Sequence, residues 1–118
     1  MLEISDLIGI PYKENGRDKD GYDCYGLVIE VEKRLGKNLI DVCYDNHQEA
    51  LAEEFKPLLN VREVNQIYEG VVLEIHHNGE LHIAVALNKD VMIHATTNQG
   101  VRISRIGSYP ILHKYEVI

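Results

Sequence analysis

The sequence of 118 residues contains no tryptophan, only two cysteines and no hydrophobic run long enough to cross a membrane. Basic residues are also few, since 12 Lys and Arg stand against 19 Asp and Glu, and the formal net charge is −7. This balance argues against a nucleic-acid or anionic-membrane partner, because either would require a basic patch. The cysteines, Cys24 and Cys43, do not resemble a secreted disulfide framework, and we expect both to be free thiols.

The N-terminus, Met1 to Asp6, carries acidic residues where a secretory signal would carry basic ones, and its apolar stretch is short. We therefore expect a protein that is made in a cytoplasm without a signal peptide. A length of 118 residues, 45% of them hydrophobic, fits one domain over residues 1–118 with a single core.

The first half of the chain is predicted to be helical after an irregular segment. Residues 8–22 contain Pro11, Gly16 and Gly21 among polar residues and are predicted to form a surface loop. Asp23 is a good N-cap residue for a helix that ends before Gly36, and its apolar stripe comprises Leu27, Val28, Val31 and Leu35. A second helix is predicted from about Asn46 to Phe55, before Pro57.

The second half of the chain is predicted to form strands, because short β-branched runs alternate there with turn residues. The predicted strands are Val71 to Ile75, Leu81 to Leu87, Val91 to Ala95, Val101 to Ser104 and Ile111 to Val117. The sequence therefore predicts an α+β fold in which N-terminal helices pack on an antiparallel sheet of about five strands.

Cys24 is a candidate nucleophile because it lies at the predicted start of the first helix. The unpaired N–H groups and aligned peptide dipoles there favour a thiolate, so we expect a lowered thiol pKa. His82 and His94 lie in two predicted neighbouring strands. If Asn88 to Asp90 form the loop between them, both histidines lie on one face of the sheet as diagonal neighbours, within reach of a hydrogen bond.

Each of these residues also has a purely structural interpretation. A cysteine on its own is more often a small buried hydrophobe, and a histidine in a strand is often satisfied by backbone groups. His76 and His77 invite a zinc hypothesis, but adjacent residues of a strand point to opposite faces and do not share one ion. We expect neither a metal nor another cofactor.

The chain resembles the NlpC-type cell-wall cysteine peptidases, which have a compact papain-like fold. Four blocks in the order of that family carry the resemblance, namely Tyr12, Asp23-Cys24-Tyr25-Gly26-Leu27, His82-Ile83-Ala84 and Met92-Ile93-His94-Ala95. The resemblance implies that Cys24 is the nucleophile, His82 the base and His94 the residue that orients the base. It further implies that Tyr12 lies near the oxyanion and that Asp23 helps to bind the free amino group of a peptide.

The substrate implied by the resemblance is a peptidoglycan stem peptide, cut between γ-D-glutamate and a diamino acid. Tyr25 replaces the usual serine after the cysteine, where a ring could narrow the groove or stack on substrate, and it resembles the branch found in phage tail assembly proteins. Phage tail proteins are then partners, and the protein acts at the cell wall when a tail or lysis delivers it. The alternatives are a catalytically silent wall-binding or tail-assembly module, and an acyltransferase or deamidase that uses the same Cys and His groups.

Overall fold

The computed structural model describes residues 2–42 and 59–118, and the predicted helix at Asn46 to Phe55, like Cys43, lies outside these residues. One helix, α1 (Cys24–Arg34), packs on a six-stranded antiparallel sheet with the strand order β3-β8-β4-β5-β6-β7. The strands are β3 (Val61–Glu63), β4 (Val72–His77), β5 (Glu80–Ala86), β6 (Val91–Thr96), β7 (Gly100–Arg105) and β8 (Ile111–Val117). A two-stranded hairpin, β1 (Arg17–Asp18) and β2 (Gly21–Tyr22), precedes α1.

Helix α1 forms where its capping residues and apolar stripe predict it. The Asp23 side chain accepts a hydrogen bond from the Gly26 N–H, which satisfies one of the unpaired donors of the first turn. The helix ends at Arg34, and Gly36 follows two residues later with a φ of +84°, which favours glycine. Lys33 and Arg34 lie in the last turn, where positive charge is favourable. The predicted first helix is confirmed.

The sheet separates two groups of buried side chains. Residues such as Ile83, Val85 and Ile93 pack with the apolar face of α1, whereas Ala84 and Met92 on the opposite face pack with residues near the start of β8. This alternation follows from the two-residue period of a strand. Because both faces of β5 and β6 are buried, a shift of one residue in their pairing would exchange the two sets.

The predicted antiparallel sheet is confirmed, with two additions that the sequence did not reveal. All five predicted strands are present, and β3 adds a sixth by pairing with β8. The segment 8–22, predicted as a loop, contains the hairpin of β1 and β2 and a bridge between Tyr12 and Tyr22. Within the described ranges, no helix has the length and apolar character needed to span a membrane.

Gly26, in the first turn of α1, permits a close approach of the preceding loop. A Cβ atom at this position would lie 2.1 Å from the Gly16 carbonyl oxygen and 2.9 Å from Arg17 Nη1. No side chain fits there without moving the loop, which explains physically why a glycine follows two positions after the cysteine.

The Gly26→Ala substitution should therefore destabilise the protein, although alanine ordinarily stabilises a helix by about 1 kcal/mol over glycine. We expect the free energy of unfolding to fall by about 1 to 3 kcal/mol, the cost of an overpacked contact. Urea unfolding measures this value, with Gly107→Ala as the control because no atom lies within 4 Å of its added Cβ. A stabilised Gly26→Ala protein would contradict the close packing of the loop.

Candidate active site

The start of α1 is held by the carboxylate of Asp23, which is completely buried. One carboxylate oxygen accepts hydrogen bonds from the Gly26 N–H at 2.7 Å and from Arg17 Nη1 at 3.0 Å, and the other accepts one from the Asn15 N–H at 3.0 Å. These donors offset the cost of removing a charge from water. The structure gives Asp23 the N-cap role, and the expected contact of its carboxylate with a peptide amino group stays a prediction.

Tyr25 points into the core and not into a groove. Its side chain is 1% exposed, and its hydroxyl donates a hydrogen bond to the carbonyl oxygen of Ile40. The Arg17 guanidinium lies over the ring, 5.8 Å from its centroid, and also pairs with Asp41. A ring in this position neither narrows a groove nor stacks on substrate. It ties the helix start to the segment near Ile40.

Cys24, the first residue of α1, lies against the middle of the sheet at β5. The backbone N–H groups of Ile83 and Tyr25 hydrogen-bond to its sulfur, and Ile83 is the residue that follows His82 along β5. The thiol is 1% exposed, and this burial, together with the negative charge of Asp23, raises its pKa above the usual value. The prediction of a lowered pKa was wrong, because desolvation outweighs the backbone hydrogen bonds from Ile83 and Tyr25, which act in the lowering direction.

The two predicted histidines lie in contact on one face of the sheet. Val85 pairs with Ile93 and Ala86 with Met92, which is the register predicted from the loop at Asn88 to Asp90 and is thereby confirmed. His82 Nε2 lies 3.0 Å from His94 Nδ1, so one imidazole donates a hydrogen bond to the other. His82 is 5% exposed and His94 is completely buried.

Ser104 extends this contact to a third side chain, which sequence reasoning missed. His94 Nε2 lies 2.8 Å from Ser104 Oγ, so both ring nitrogens of His94 have a partner. Burial lowers the pKa of His94 to about 4, and the neighbouring charges of His77 and Arg102 act in the same direction. His94 is therefore a neutral imidazole near pH 7. The serine was visible in the sequence, but its position depends on the pairing of β6 with β7.

A cavity of about 160 Å³ opens beside His82, and Tyr12 and His77 also line it. The Tyr12 hydroxyl donates a hydrogen bond to Glu14 at 3.2 Å, and the phenol lies within electrostatic range of Cys24. Burial first, and then the negative charge that Cys24 would carry, raise the pKa of Tyr12, so its hydroxyl stays a proton donor. The structure thus brings Tyr12, Cys24 and His82 to one region.

His77 is a second residue of this region that the sequence did not reveal. Its ring centroid lies 5.3 Å from that of His82 and 6.1 Å from that of His94, and it lines the same cavity. From the sequence, His76 and His77 were considered as candidate zinc ligands. Within residues 2–42 and 59–118, no three His, Cys, Asp or Glu side chains are arranged to hold one metal ion.

The arrangement suits nucleophilic acyl chemistry. A buried thiol lies at a helix N-terminus against the backbone of Ile83, the residue after His82, a second neutral imidazole contacts that of His82, and a phenol donor stands nearby. The roles of Cys24 as nucleophile, His82 as base and His94 as orienting residue stay predictions.

Comparison with known proteins points to one family. The family profile described as NlpC/P60 matches residues 9–116 of the chain. No curated protein matches the sequence. Among solved structures, the NlpC/p60 domain of the peptidoglycan hydrolase SagA is 24% identical, with a TM-score of 0.64, and the match covers 94% of this chain and 90% of that one.

Two further solved structures share the fold. NlpC2 from Trichomonas vaginalis is 19% identical with a TM-score of 0.68, and a lipoprotein-like protein of the NLP/P60 family from Staphylococcus aureus subsp. aureus Mu50 is 21% identical with a TM-score of 0.57. The matches cover 97% and 95% of this chain but only 44% and 38% of those proteins. At these identities the likeness establishes the fold, and the predicted α+β, papain-like architecture is confirmed.

The low pKa of His94 makes the stability of the protein depend on pH. Unfolded histidine binds a proton near pH 6.5 and His94 in the folded protein near pH 4, so stability is lost as the pH falls through this range. From pH 7 to pH 5, His94 should lower the free energy of unfolding by roughly 2 kcal/mol. Burial raises the pKa of Glu32 to about 7, which acts in the opposite direction over the same range.

Urea unfolding of the wild type and of His94→Asn at both pH values isolates the histidine, because the contribution of Glu32 is common to both proteins. We expect the wild type to lose roughly 2 kcal/mol more than the variant between pH 7 and pH 5. If the free energy of unfolding changes by the same amount in both proteins, His94 binds its proton equally well in the folded and unfolded states.

Proposed function

The chain belongs to the NlpC/P60 family, and on that premise we propose that it is a cysteine peptidase that hydrolyses an amide bond in peptidoglycan stem peptides. Members of this family are in general cysteine peptidases of the cell wall. The observations that support the proposal are the hydrogen bond of 3.0 Å between His82 and His94, and the contact of the Cys24 sulfur with the backbone of Ile83, the residue after His82. Together these residues supply a nucleophile, a base and a group that orients the base.

The proposed reaction begins with a neutral thiol, because burial raises the pKa of Cys24. His82 Nδ1 takes the thiol proton as the sulfur attacks the carbonyl carbon of the substrate, and the carbonyl oxygen becomes an oxyanion. The Cys24 backbone N–H and the protonated hydroxyl of Tyr12 are the proposed donors to that oxyanion. His82 then gives its proton to the leaving amine, the C–N bond breaks, and an acyl-enzyme remains.

Water completes the cycle. His82 removes a proton from the water as its oxygen attacks the thioester carbon, and the same proton returns to the sulfur as the C–S bond breaks. In the proposed scheme the hydrogen bond between His82 Nε2 and His94 holds the ring throughout and leaves Nδ1 as the nitrogen that exchanges the proton. Asp23 takes no part in this scheme beyond placing Cys24, since its carboxylate is buried against Arg17 and Gly26.

The proposed scissile bond joins γ-D-glutamate to diaminopimelate or lysine. Tyr12, His77 and Thr97 line the cavity beside His82, and with the other lining residues they offer hydrogen-bonding groups to a short polar peptide. We propose that the stem peptide occupies this cavity with its scissile carbonyl group towards Cys24.

Cleavage of purified muropeptides tests the proposal. We expect the wild type to cut diaminopimelate-type or lysine-type stems, and Cys24→Ala and His82→Ala to lose at least about 10³-fold in kcat. His113→Ala is the matched control, because that histidine is exposed and pairs with Glu63 on β3, away from the site. Mass analysis of the fragments identifies the bond. Failure of the wild type to cut either stem, or equal cleavage by Cys24→Ala, would refute the assignment.

One observation favours a second candidate, a silent module that binds wall peptide without cutting it. Cys24 is only 1% exposed, and its raised pKa disfavours a free thiolate. The cleavage experiment separates the two functions, because a silent module binds the muropeptide and leaves it intact. An acyltransferase would instead yield a product joined to an added amine, which the same mass analysis detects.

We further propose association with a phage tail, supported by the aromatic residue Tyr25 directly after the cysteine. The protein would then be made in the cytoplasm and reach the wall with the particle. Immunodetection of the chain in purified phage particles from the producing cells tests this, with a cytoplasmic enzyme of the same cells as the control. Absence of the chain from intact particles that carry tails would refute it.

A further inference from the structure

Three side chains form one hydrogen-bonded line across three adjacent strands. His82 on β5 contacts His94 on β6 at 3.0 Å, and His94 contacts Ser104 on β7 at 2.8 Å. Ser104 pairs with Met92, two residues from His94, so it lies on the same face of the sheet one diagonal step away. His82 occupies the corresponding diagonal position on the other side of His94. The line therefore follows from the two registers.

The line allows two arrangements of its protons. In the first, His82 Nε2–H donates to His94 Nδ1, and His94 Nε2–H donates to Ser104 Oγ. His82 Nδ1 then carries a lone pair and can accept a proton. In the second, every hydrogen bond is reversed, and the His82 Nδ1 position carries a hydrogen. Only the first arrangement makes His82 a base.

The first arrangement is also the only one that fits a charged His82. Both nitrogens of an imidazolium are donors, so His94 Nδ1 must accept and its single hydrogen must lie on Nε2. That N–H is buried, because His94 has no exposed surface, and Ser104 Oγ is its partner. Ser104 is itself half-buried, so its own hydroxyl hydrogen can turn to solvent while the oxygen accepts.

We propose that Ser104 is a positioning residue that holds His94 as the Nε2–H tautomer and thereby keeps His82 in its basic form. Without the hydroxyl, the buried His94 N–H loses its acceptor, and the hydrogen moves to Nδ1, where it can bond to His82. The low pKa of His94 agrees with this, since a neutral ring has one hydrogen whose position must be fixed. The effect on catalysis rests on the proposed function, whereas the effect on the tautomer does not.

An isosteric pair of variants at position 104 tests the proposal. Thr and Val have nearly the same shape and both suit a strand, but only Ser104→Thr keeps the hydroxyl. ¹⁵N NMR of the histidine ring nitrogens reads the tautomer of His94 directly and needs no substrate. We expect His94 to carry its hydrogen on Nε2 in the wild type and in Ser104→Thr. In Ser104→Val the ratio of Nε2–H to Nδ1–H should fall about 10-fold.

Muropeptide cleavage by the same proteins supplies the functional readout. We expect kcat to fall about 10-fold in Ser104→Val with KM unchanged, and to stay within about 2-fold of the wild type in Ser104→Thr. Ser108→Ala is the control for the loss of a serine hydroxyl elsewhere, since Ser108 is exposed. Circular dichroism and thermal unfolding verify that each variant is folded.

The outcomes separate this proposal from the peptidase assignment. A tautomer shift in Ser104→Val and not in Ser104→Thr supports the role of Ser104, even if no muropeptide is cut and the peptidase assignment fails. An unchanged His94 tautomer in Ser104→Val would overturn the role of Ser104, whatever the wild type cleaves. Equal shifts of the His94 tautomer in Ser104→Thr and Ser104→Val would overturn the role of Ser104 as well, because they would assign the effect to side-chain size.

Discussion

The burial of one carboxylate fixes the geometry on which this site depends. Asp23 is completely buried, and a charge in such a position is tolerated only with several good donors. Gly26 supplies one donor from the first turn of α1, Asn15 supplies one from the loop, and Arg17 supplies a guanidinium. These partners belong to different segments, so satisfying the carboxylate brings the loop and the helix start together. Cys24, the next residue, is placed by the same contacts.

Burial also decides the charge states of the reactive groups. It raises the pKa of Cys24 and lowers that of His94, so both are neutral near pH 7 in the absence of substrate. In the proposed reaction the charges develop when the sulfur attacks, and the proton moves to His82 at that step. The donors that surround the sulfur, the N–H groups of Ile83 and Tyr25, are already in place to receive the negative charge.

The sequence predicted those parts of the molecule that depend on local rules. Asp23 and Gly36 mark the two limits of the helix. A loop of three residues after Leu87 determines the register of β5 and β6 that brings His82 to His94. The sequence did not predict the features that depend on contacts between distant segments. The buried orientation of Tyr25 depends on Ile40 and Arg17, and the position of Ser104 depends on the pairing of β7 with β6. The pKa of Cys24 was misjudged because helix position is visible in a sequence, whereas desolvation is a property of the packed fold.

A neutral orienting residue suits this particular interior. Position 94 has no exposed surface, and a carboxylate there would add a further buried charge, on the face of the sheet opposite the helix. A neutral imidazole accepts a hydrogen bond from His82 without that cost, but it has two possible tautomers where a carboxylate has only acceptors. The orientation of the base therefore requires a further partner at Nε2. Ser104 meets this requirement at the outer end of the line, where its half-buried hydroxyl lies 2.8 Å from His94 Nε2.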